Sequence, residues 1–152
     1  MQSVITIKER LHAYSLVSIQ FICIGLILVS GGPFARSLPL LVIEIAGILL
    51  GLWAIVAMGW RNVNVSPLVK RDARLVTGGP YASIRHPMYA AVLLTVWTLI
   101  IDRYSLFRLA VGLILTVDLL MKIRYEEGLL KKRFPEYEAY MTVTKRLIPF
   151  VL

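Results

Sequence analysis

The sequence predicts an all-α integral membrane helical bundle of about four transmembrane helices, with a cytosolic loop and a C-terminal amphipathic helical tail. The chain of 152 residues is 58% hydrophobic, with a mean hydropathy of +0.74, well above the norm for soluble proteins. Its apolar residues form blocks, several long enough to cross a hydrocarbon core of about 30 Å. Its 17 Lys and Arg fall unevenly between these blocks. The length fits one domain, residues 1–152.

Residues 1–60 are predicted to form two scaffold transmembrane helices. The first apolar block, 13–31, holds no charged residue, and the second, 38–60, holds one acid. Two basic residues precede the first block, as in a signal peptide. The apolar core of a signal peptide usually has about 7–15 residues, so we interpret the longer block as a retained helix. The sequence GGPFARS between the blocks suits a tight reversal.

The second part, residues 61–152, holds most of the polar side chains. A cytosolic loop is predicted first, then a helical hairpin that turns at DRYS. The arm 88–101 spans about 21 Å as a helix, so it must begin before residue 88 or cross only partly. The other arm, 104–121, is interrupted by Arg108 and Asp118.

The tail after the hairpin is predicted to lie along the bilayer surface. One helix stops at Phe134, and Pro135 suits the first turn of the next. Phe134, Tyr137, Met141 and Ile148 recur at helical spacing, which is typical of an interfacial amphipathic helix.

The distribution of positive charge gives the predicted bundle a direction. With four crossings, 14 of the 17 Lys and Arg fall on one side, and the positive-inside rule places that side in the cytosol with both termini and the 61–87 loop. The net charge of +8 therefore needs no nucleic acid as partner, and membrane lipids suffice. Cys23 is alone and only two histidines are present, so no metal site is predicted.

The stretch SIRHPMYAAVLL, residues 83–94, places Arg85, His86, Pro87 and Tyr89 where a hydrophobic run begins. Pro87 suits the first turn of a helix, whose unpaired N–H groups would face the cytosolic side and attract an anionic group. His86 and Tyr89 share a helix face. Arg and Tyr are also ordinary residues at a membrane boundary, which is the alternative interpretation.

A second polar group, MKIRYEEGLLKKRF, follows the last predicted membrane helix. Glu126 and Glu127 point about 100° apart, so one of them can face a pocket while the other faces water. The simpler explanation for the two glutamates is that they form surface ion pairs with lysines one turn away. Asp118 and Glu44, inside the apolar blocks, are interpreted as structural, although intramembrane acids are functional candidates by default.

Together, LVTGGPYASIRHPMY, EEGLLKKRFPEYEAY and RLIP resemble the integral membrane methyltransferases of the isoprenylcysteine carboxyl methyltransferase type, with the related phospholipid methyltransferases. The resemblance covers residues 60–150 and marks 61–152 as the catalytic region. It implies S-adenosyl-L-methionine as cofactor. By position, the implied cofactor contacts are Leu75, Val76, Tyr81, Arg85, His86, Pro87, Met88, Tyr89, Glu126 and Glu127.

The resemblance also implies a cation that holds the acceptor. In the prenylcysteine enzymes an Arg stands four residues before the first Glu, where this chain has Lys122. Lysine keeps the charge and loses the bidentate fork, so Arg124 or Arg146 would have to compensate. Lys122 and Arg146 are the predicted catalytic residues. A second departure is Ala91, where many relatives have Gly.

The leading hypothesis is therefore a methyltransferase that acts on a lipophilic or lipidated membrane acceptor, most simply a carboxylate. Such an acceptor is ionised at neutral pH and needs no general base. N-methylation of a phospholipid amine is the alternative and requires a base to remove a proton. A sterol-type reductase using a nicotinamide cofactor and a non-catalytic membrane subunit are the two remaining alternatives.

Overall fold

The computed structural model describes residues 7–59, 62–64, 66–68 and 73–148, and these residues form five α-helices and no strand. The helices are α1 (Ile7–Gly31), α2 (Leu38–Met58), α3 (Pro87–Asp102), α4 (Leu106–Arg133) and α5 (Tyr137–Val143), and a short 3-10 helix, Gly79–Ala82, precedes α3. The predicted all-α class is confirmed. Trp60 and Pro149, the last residue of RLIP, lie outside the described part of the chain.

Local sequence sets the helix ends. Pro87 begins α3, where its missing N–H is not needed. At the start of α4, the Ser105 hydroxyl accepts a hydrogen bond from the Arg108 N–H at 3.2 Å, a side-chain N-cap. The predicted turn at DRYS thus separates α3 from α4. The end of α4 at Arg133, before Phe134, agrees with the predicted stop.

Two of the four predicted crossings, α1 and α2, are helices long and apolar enough to span a membrane. Many large apolar side chains on α1, α2 and α4 are exposed, as expected of helices that face lipid. α3 is apolar and has 16 residues, about 24 Å of helix. α4 carries charges within its apolar part, and the crossing of the α3–α4 hairpin stays a prediction.

The bundle pairs α2 with α3 and α1 with α4. Its buried core joins Cys23 and Ile27 of α1 to residues of α3 and α4, with Leu115 and Leu119 fully buried. Contacts at both ends show that the four long helices alternate in direction. His12 lies edge-on to Tyr125 at one end, and Arg108 reaches α1 at the other. The beginning of α3 and the C-terminal part of α4 therefore lie at the same end.

The opposite end is held by buried charges. The Arg108 guanidinium donates to the carbonyl oxygens of Ile27 at 2.8 Å and Leu99 at 2.6 Å, so it bridges the last turns of α1 and α3. The Asp102 carboxylate accepts the N–H groups that precede α2. Glu44 is buried and accepts the Ala35 N–H at 2.8 Å. Arg108, Asp102 and Glu44 thus satisfy backbone groups at helix ends.

Gly31 is required by Arg108, because an added Cβ would lie 1.9 Å from its Nη1 atom. We expect Gly31→Ala to lower the free energy of unfolding by roughly 1–3 kcal/mol, since the guanidinium must leave its carbonyl partners. Gly25→Ala is the matched control, because an added Cβ there meets nothing within 4 Å. Thermal unfolding in detergent measures both. In an Arg108→Met background the Gly31→Ala cost should disappear, and a cost that persists would contradict this contact.

The C-terminal tail differs from the prediction. α5 has seven residues and begins at Tyr137, not at Pro135, and both Tyr137 and Tyr140 are buried. After α5 the chain is extended, and Lys145 forms a parallel bridge with Ile84. The described tail thus forms one short helix instead of a longer one, and its tyrosines pack against the segment before α3. Its location at the bilayer surface stays a prediction.

Candidate functional site

The two polar motifs of the sequence meet at one end of the bundle. The Tyr89 hydroxyl donates to Glu126 Oε2 at 2.9 Å, and His86 Nε2 lies 3.4 Å from Glu127 Oε1. Because the start of α3 lies beside the C-terminal part of α4, the first turn of α3 and a late turn of α4 are neighbours. Main-chain bonds from Arg85 and His86 to residues 145 and 146 add the tail to this group. The two motifs that the resemblance assigns to one cofactor thus lie together in the fold.

Glu127 is the ionic centre of this assembly. Its carboxylate lies 3.0 Å from Arg85 Nε and 3.0 Å from Arg146 Nη2, and its side chain is 5% exposed. Burial alone would raise the pKa of Glu127, but hydrogen bonds from His86, Arg85 and Arg146 outweigh burial and lower the pKa to about 2. Glu127 is therefore ionised, and it ties the segment before α3 to the tail.

Glu126, next in the chain, is more open. Its side chain is 27% exposed, and the hydroxyl of Tyr89 orients the carboxylate. The Tyr89 ring stacks on the His86 ring, with centroids 5.6 Å apart and an interplanar angle of 16°. The 100° step between neighbouring helical residues thus turns one Glu to a buried cluster and the other to a cavity.

A polar pocket lies in front of Glu126, with a volume of about 100 Å³. Eight of the ten predicted cofactor contacts line it: Leu75, Val76, Tyr81, Arg85, His86, Met88, Tyr89 and Glu126. Pro87 and Glu127 do not line it, although both support residues that do. This volume is below the 300–1,000 Å³ typical of pockets for drug-sized ligands, so the walls must separate to admit a large cofactor.

The two predicted catalytic cations lie behind this pocket. Lys122 is fully buried, its ammonium donates to Gln20 Oε1, and it lies 5.3 Å from the centroid of the Tyr89 ring. Arg146 is 39% exposed and donates to Glu127. Neither residue lines the polar pocket. Their assignment to the acceptor stays a prediction.

Sequence reasoning missed several lining residues of the polar pocket. Asn62 and Asn64 follow α2, and the Asn62 side chain bonds both the N–H and the carbonyl of Arg74. Tyr137 and Tyr140 come from the tail, where the spacing of Tyr137 suggested a membrane surface. The Tyr140 hydroxyl donates to the Tyr81 carbonyl at 2.6 Å. Asparagines in a loop carry no periodic signal, so sequence alone gave no reason to select them.

A second cavity, which we call the apolar cavity, lies between α1, α2 and α3 and has a volume of about 420 Å³. Its lining is mostly apolar and includes Phe21, Ile24, Ile48, Leu52, Ile55, Val92 and Val96. Asn64, Met88 and Tyr89 line both this cavity and the polar pocket. A polar site and an apolar site therefore meet at the start of α3.

The residues of the polar pocket fit the chemistry of S-adenosylmethionine. The Tyr137 hydroxyl is buried and has no hydrogen-bond partner among the described residues. Burial and the charge of Glu127 raise its pKa, so it remains a donor. Glu126 supplies an acceptor for an ammonium group or ribose hydroxyls. Leu75, Val76, Leu130 and Phe134 supply an apolar wall for a purine ring.

Comparison with known families agrees with this geometry. The phospholipid methyltransferase family matches residues 34–137, about two thirds of the chain, from the loop after α1 to the beginning of α5. No curated protein matches the sequence. The matched range contains the RHPMY and EE motifs and almost all of the polar pocket. The chain belongs to the phospholipid methyltransferase family.

Proposed function

We propose that this protein is an S-adenosylmethionine-dependent methyltransferase that modifies a lipophilic, membrane-resident acceptor. One observation carries the proposal: the motif-lined polar pocket and the apolar cavity share Met88 and Tyr89 as a common wall. A water-soluble cofactor and a lipid chain bound in the two sites would bring their reactive ends to that wall. Methyl transfer is an in-line displacement, so such positioning provides most of the rate enhancement.

The residues of the polar pocket have distinct roles in this proposal. Glu126 accepts hydrogen bonds from the amino acid or ribose part of the cofactor, and Tyr89 holds that carboxylate in place. Tyr137 donates its unpartnered hydroxyl to the same ligand. When bound, the cofactor supplies a methyl group on a sulfonium, and the sulfur keeps the electron pair of the broken bond. Glu127 does not contact the cofactor but fixes Arg85 and His86 beside it.

The preferred acceptor atom is a carboxylate oxygen. A carboxylate is deprotonated at neutral pH, so the site needs no residue that removes a proton. The second candidate is the amine of a phospholipid, favoured by the family match. That reaction requires loss of a proton from nitrogen, and Glu126 is the carboxylate that accepts the Tyr89 hydroxyl at the shared wall.

The orientation in the membrane follows from charge. The basic residues of the C-terminal part of α4 and of the tail lie at the same end as the polar pocket, and the positive-inside rule places that end in the cytosol. Both termini then lie in the cytosol in a multi-pass protein, provided that the α3–α4 hairpin crosses. The cofactor would enter from the cytosol, and the acceptor would enter sideways from the bilayer.

Two measurements on the purified full-length protein test this function. Calorimetry in detergent should show binding of S-adenosylhomocysteine and no binding of a nicotinamide dinucleotide. Incubation with methyl-labelled cofactor and total lipid extract should place label in a lipid fraction. Base-labile label indicates a carboxyl ester, and base-stable label in a phospholipid indicates N-methylation. Binding of the dinucleotide alone would favour a reductase, and binding of neither would favour a non-catalytic subunit.

A further inference from the structure

Among the described residues, Asn64, Met88 and Tyr89 line both the polar pocket and the apolar cavity. Methyl transfer between ligands in the two sites requires the reacting atoms to approach within about 3–3.5 Å. The acceptor's electron pair forms the new bond to carbon while the carbon–sulfur bond breaks and its pair stays on sulfur, so no side chain can remain between the two ligands. The shared wall must therefore open, and the mobility of its members decides where.

Tyr89 is held on three sides. Its hydroxyl donates to Glu126 Oε2 at 2.9 Å. Its ring stacks on the His86 ring, and the Lys122 ammonium lies 5.3 Å from the ring centroid. Rotation of the side chain would break the hydrogen bond and both ring contacts, so Tyr89 is a fixed part of the wall.

The Asn64 side chain is held by its own loop. Its Nδ2 atom donates to the Leu68 carbonyl at 2.7 Å, and its Oδ1 atom accepts the Ser66 N–H at 3.3 Å. Such local bonds between an Asn side chain and the following main chain are typical of turns. Because movement of the side chain would break both hydrogen bonds, Asn64 is a second fixed part of the wall.

Met88 differs from both neighbours. Its side chain is half-buried, and its thioether makes no hydrogen bond with the residues that the structure describes. Methionine is unbranched and has three rotatable bonds, so it changes rotamer easily. The backbone beneath it is fixed, because Pro87 is fully buried and the His86 N–H donates to the Arg146 carbonyl at 3.0 Å. Movement at this position is therefore confined to the side chain of Met88.

We propose that Met88 is the gate between the two sites: its side chain separates them at rest and rotates aside when an acceptor chain fills the apolar cavity. The closed gate keeps a charged sulfonium out of contact with the apolar cavity, where an unpaired charge is unfavourable. The inference rests on the proposed function for the identity of the two ligands, but the response of Met88 to a lipid is a separate property.

Nuclear magnetic resonance of isotope-labelled methionine methyl groups tests the movement directly. The full-length protein in phosphatidylcholine nanodiscs is titrated with S-adenosylhomocysteine, with a farnesylated cysteine, and with a lysophosphatidylethanolamine. The methyl carbon shift of methionine depends on its side-chain rotamer. We expect at least one lipid probe to change the carbon shift of Met88 saturably. Met58 lines the polar pocket and not the apolar cavity, so its signal should respond to S-adenosylhomocysteine alone.

Variants that differ in the size and stiffness of residue 88 test the role in transfer to total lipid extract. Met88→Leu keeps a flexible apolar side chain, Met88→Ala removes most of it, and Met88→Phe introduces a rigid ring. We expect kcat at saturating cofactor to fall at least about tenfold in Met88→Phe and less than about threefold in the other two. Met58→Phe is the matched control outside the shared wall, and its kcat should change less than about threefold.

A purely structural role of Met88 predicts the opposite order, because truncation to Ala would then cost at least as much as Phe. Equal loss of kcat in Met88→Ala and Met88→Phe, with both variants folded by thermal unfolding, overturns the inference. So does a parallel loss of S-adenosylhomocysteine affinity in Met88→Phe, or a Met88 carbon shift that no lipid probe changes. If a lipid probe moves Met88 but the wild type binds no S-adenosylhomocysteine and labels no lipid, the methyltransferase function fails and the lipid-driven movement stands.

Discussion

Replacement of Glu127 by Gln should destabilise the protein more than any other single change in the candidate site. The substitution removes the carboxylate that pairs with Arg85, His86 and Arg146, and leaves the 7% exposed Arg85 side chain without its anion. Breaking a buried ion pair from one side costs roughly 3–5 kcal/mol. We expect about 3 kcal/mol, because the amide oxygen keeps one acceptor. Thermal unfolding in detergent should show a Tm lower by roughly 6–12 °C.

The neighbouring variant Glu126→Gln is the matched control, with the same charge change one residue away and little expected effect on Tm. The pH dependence gives a second check. The folded pKa of Glu127 is about 2, below the usual value of 4.5. Its contribution is therefore present above pH 4.5 and is lost as the pH falls toward 2. The stability difference between wild type and Glu127→Gln should shrink over that range, and a constant difference would contradict the ionic role.

The helices were largely predictable because their signals are local. Block length and charge gave α1 and α2, Pro87 gave the start of α3, and Phe134 gave the end of α4. The packing of the tail was not predicted, for a physical reason. Tyr137 and Met141 are spaced like the apolar face of an interfacial helix, but a helix that buries the same face against protein has the same periodicity. The burial of Tyr137 and the hydrogen bond from Tyr140 to the Tyr81 carbonyl show that part of the tail packs against protein.

The roles of the two glutamates were not separable from sequence. Helical geometry predicts that Glu126 and Glu127 face different surroundings, but their rotation about the helix axis is fixed by packing against α3 and the tail. The resemblance therefore assigned both to the cofactor. The structure places Glu127 among cations, where it holds the fold of the site, and leaves Glu126 as the carboxylate of the polar pocket.

The contact between α1 and Lys122 could not be predicted for a related reason. A single uncharged Gln within an apolar block does not change the prediction that the block forms a transmembrane helix. Its contact with Lys122, 102 positions away, depends on which faces of α1 and α4 meet. Lys122 was selected by resemblance to an acceptor-binding Arg, but in the structure it is fully buried, donates to Gln20 and lies 5.3 Å from the centroid of the Tyr89 ring. A lysine with an amide partner is thus arranged differently from a bidentate Arg.

Replacement of Glu126 by Gln should weaken the cofactor and leave the fold intact. The carboxylate is 27% exposed and its described hydrogen-bond partner is the Tyr89 hydroxyl, which an amide oxygen also satisfies. A hydrogen bond between this carboxylate and an ammonium or ribose hydroxyls contributes about 1.5–3 kcal/mol. The Kd for S-adenosylhomocysteine should therefore rise roughly 10- to 100-fold in calorimetry.

The control for this variant is Glu138→Gln, an identical charge change at an exposed position of α5. It should bind S-adenosylhomocysteine like the wild type. This comparison separates a general effect of net charge from the loss of a direct contact between Glu126 and the ligand. Methyl transfer should fall with Glu126→Gln at low cofactor and recover at saturating cofactor if the carboxylate acts in binding alone. If activity stays low at saturation, Glu126 also acts on the acceptor, as removal of a proton from a phospholipid amine requires. An unchanged Kd would mean that the polar pocket does not hold the cofactor through α4.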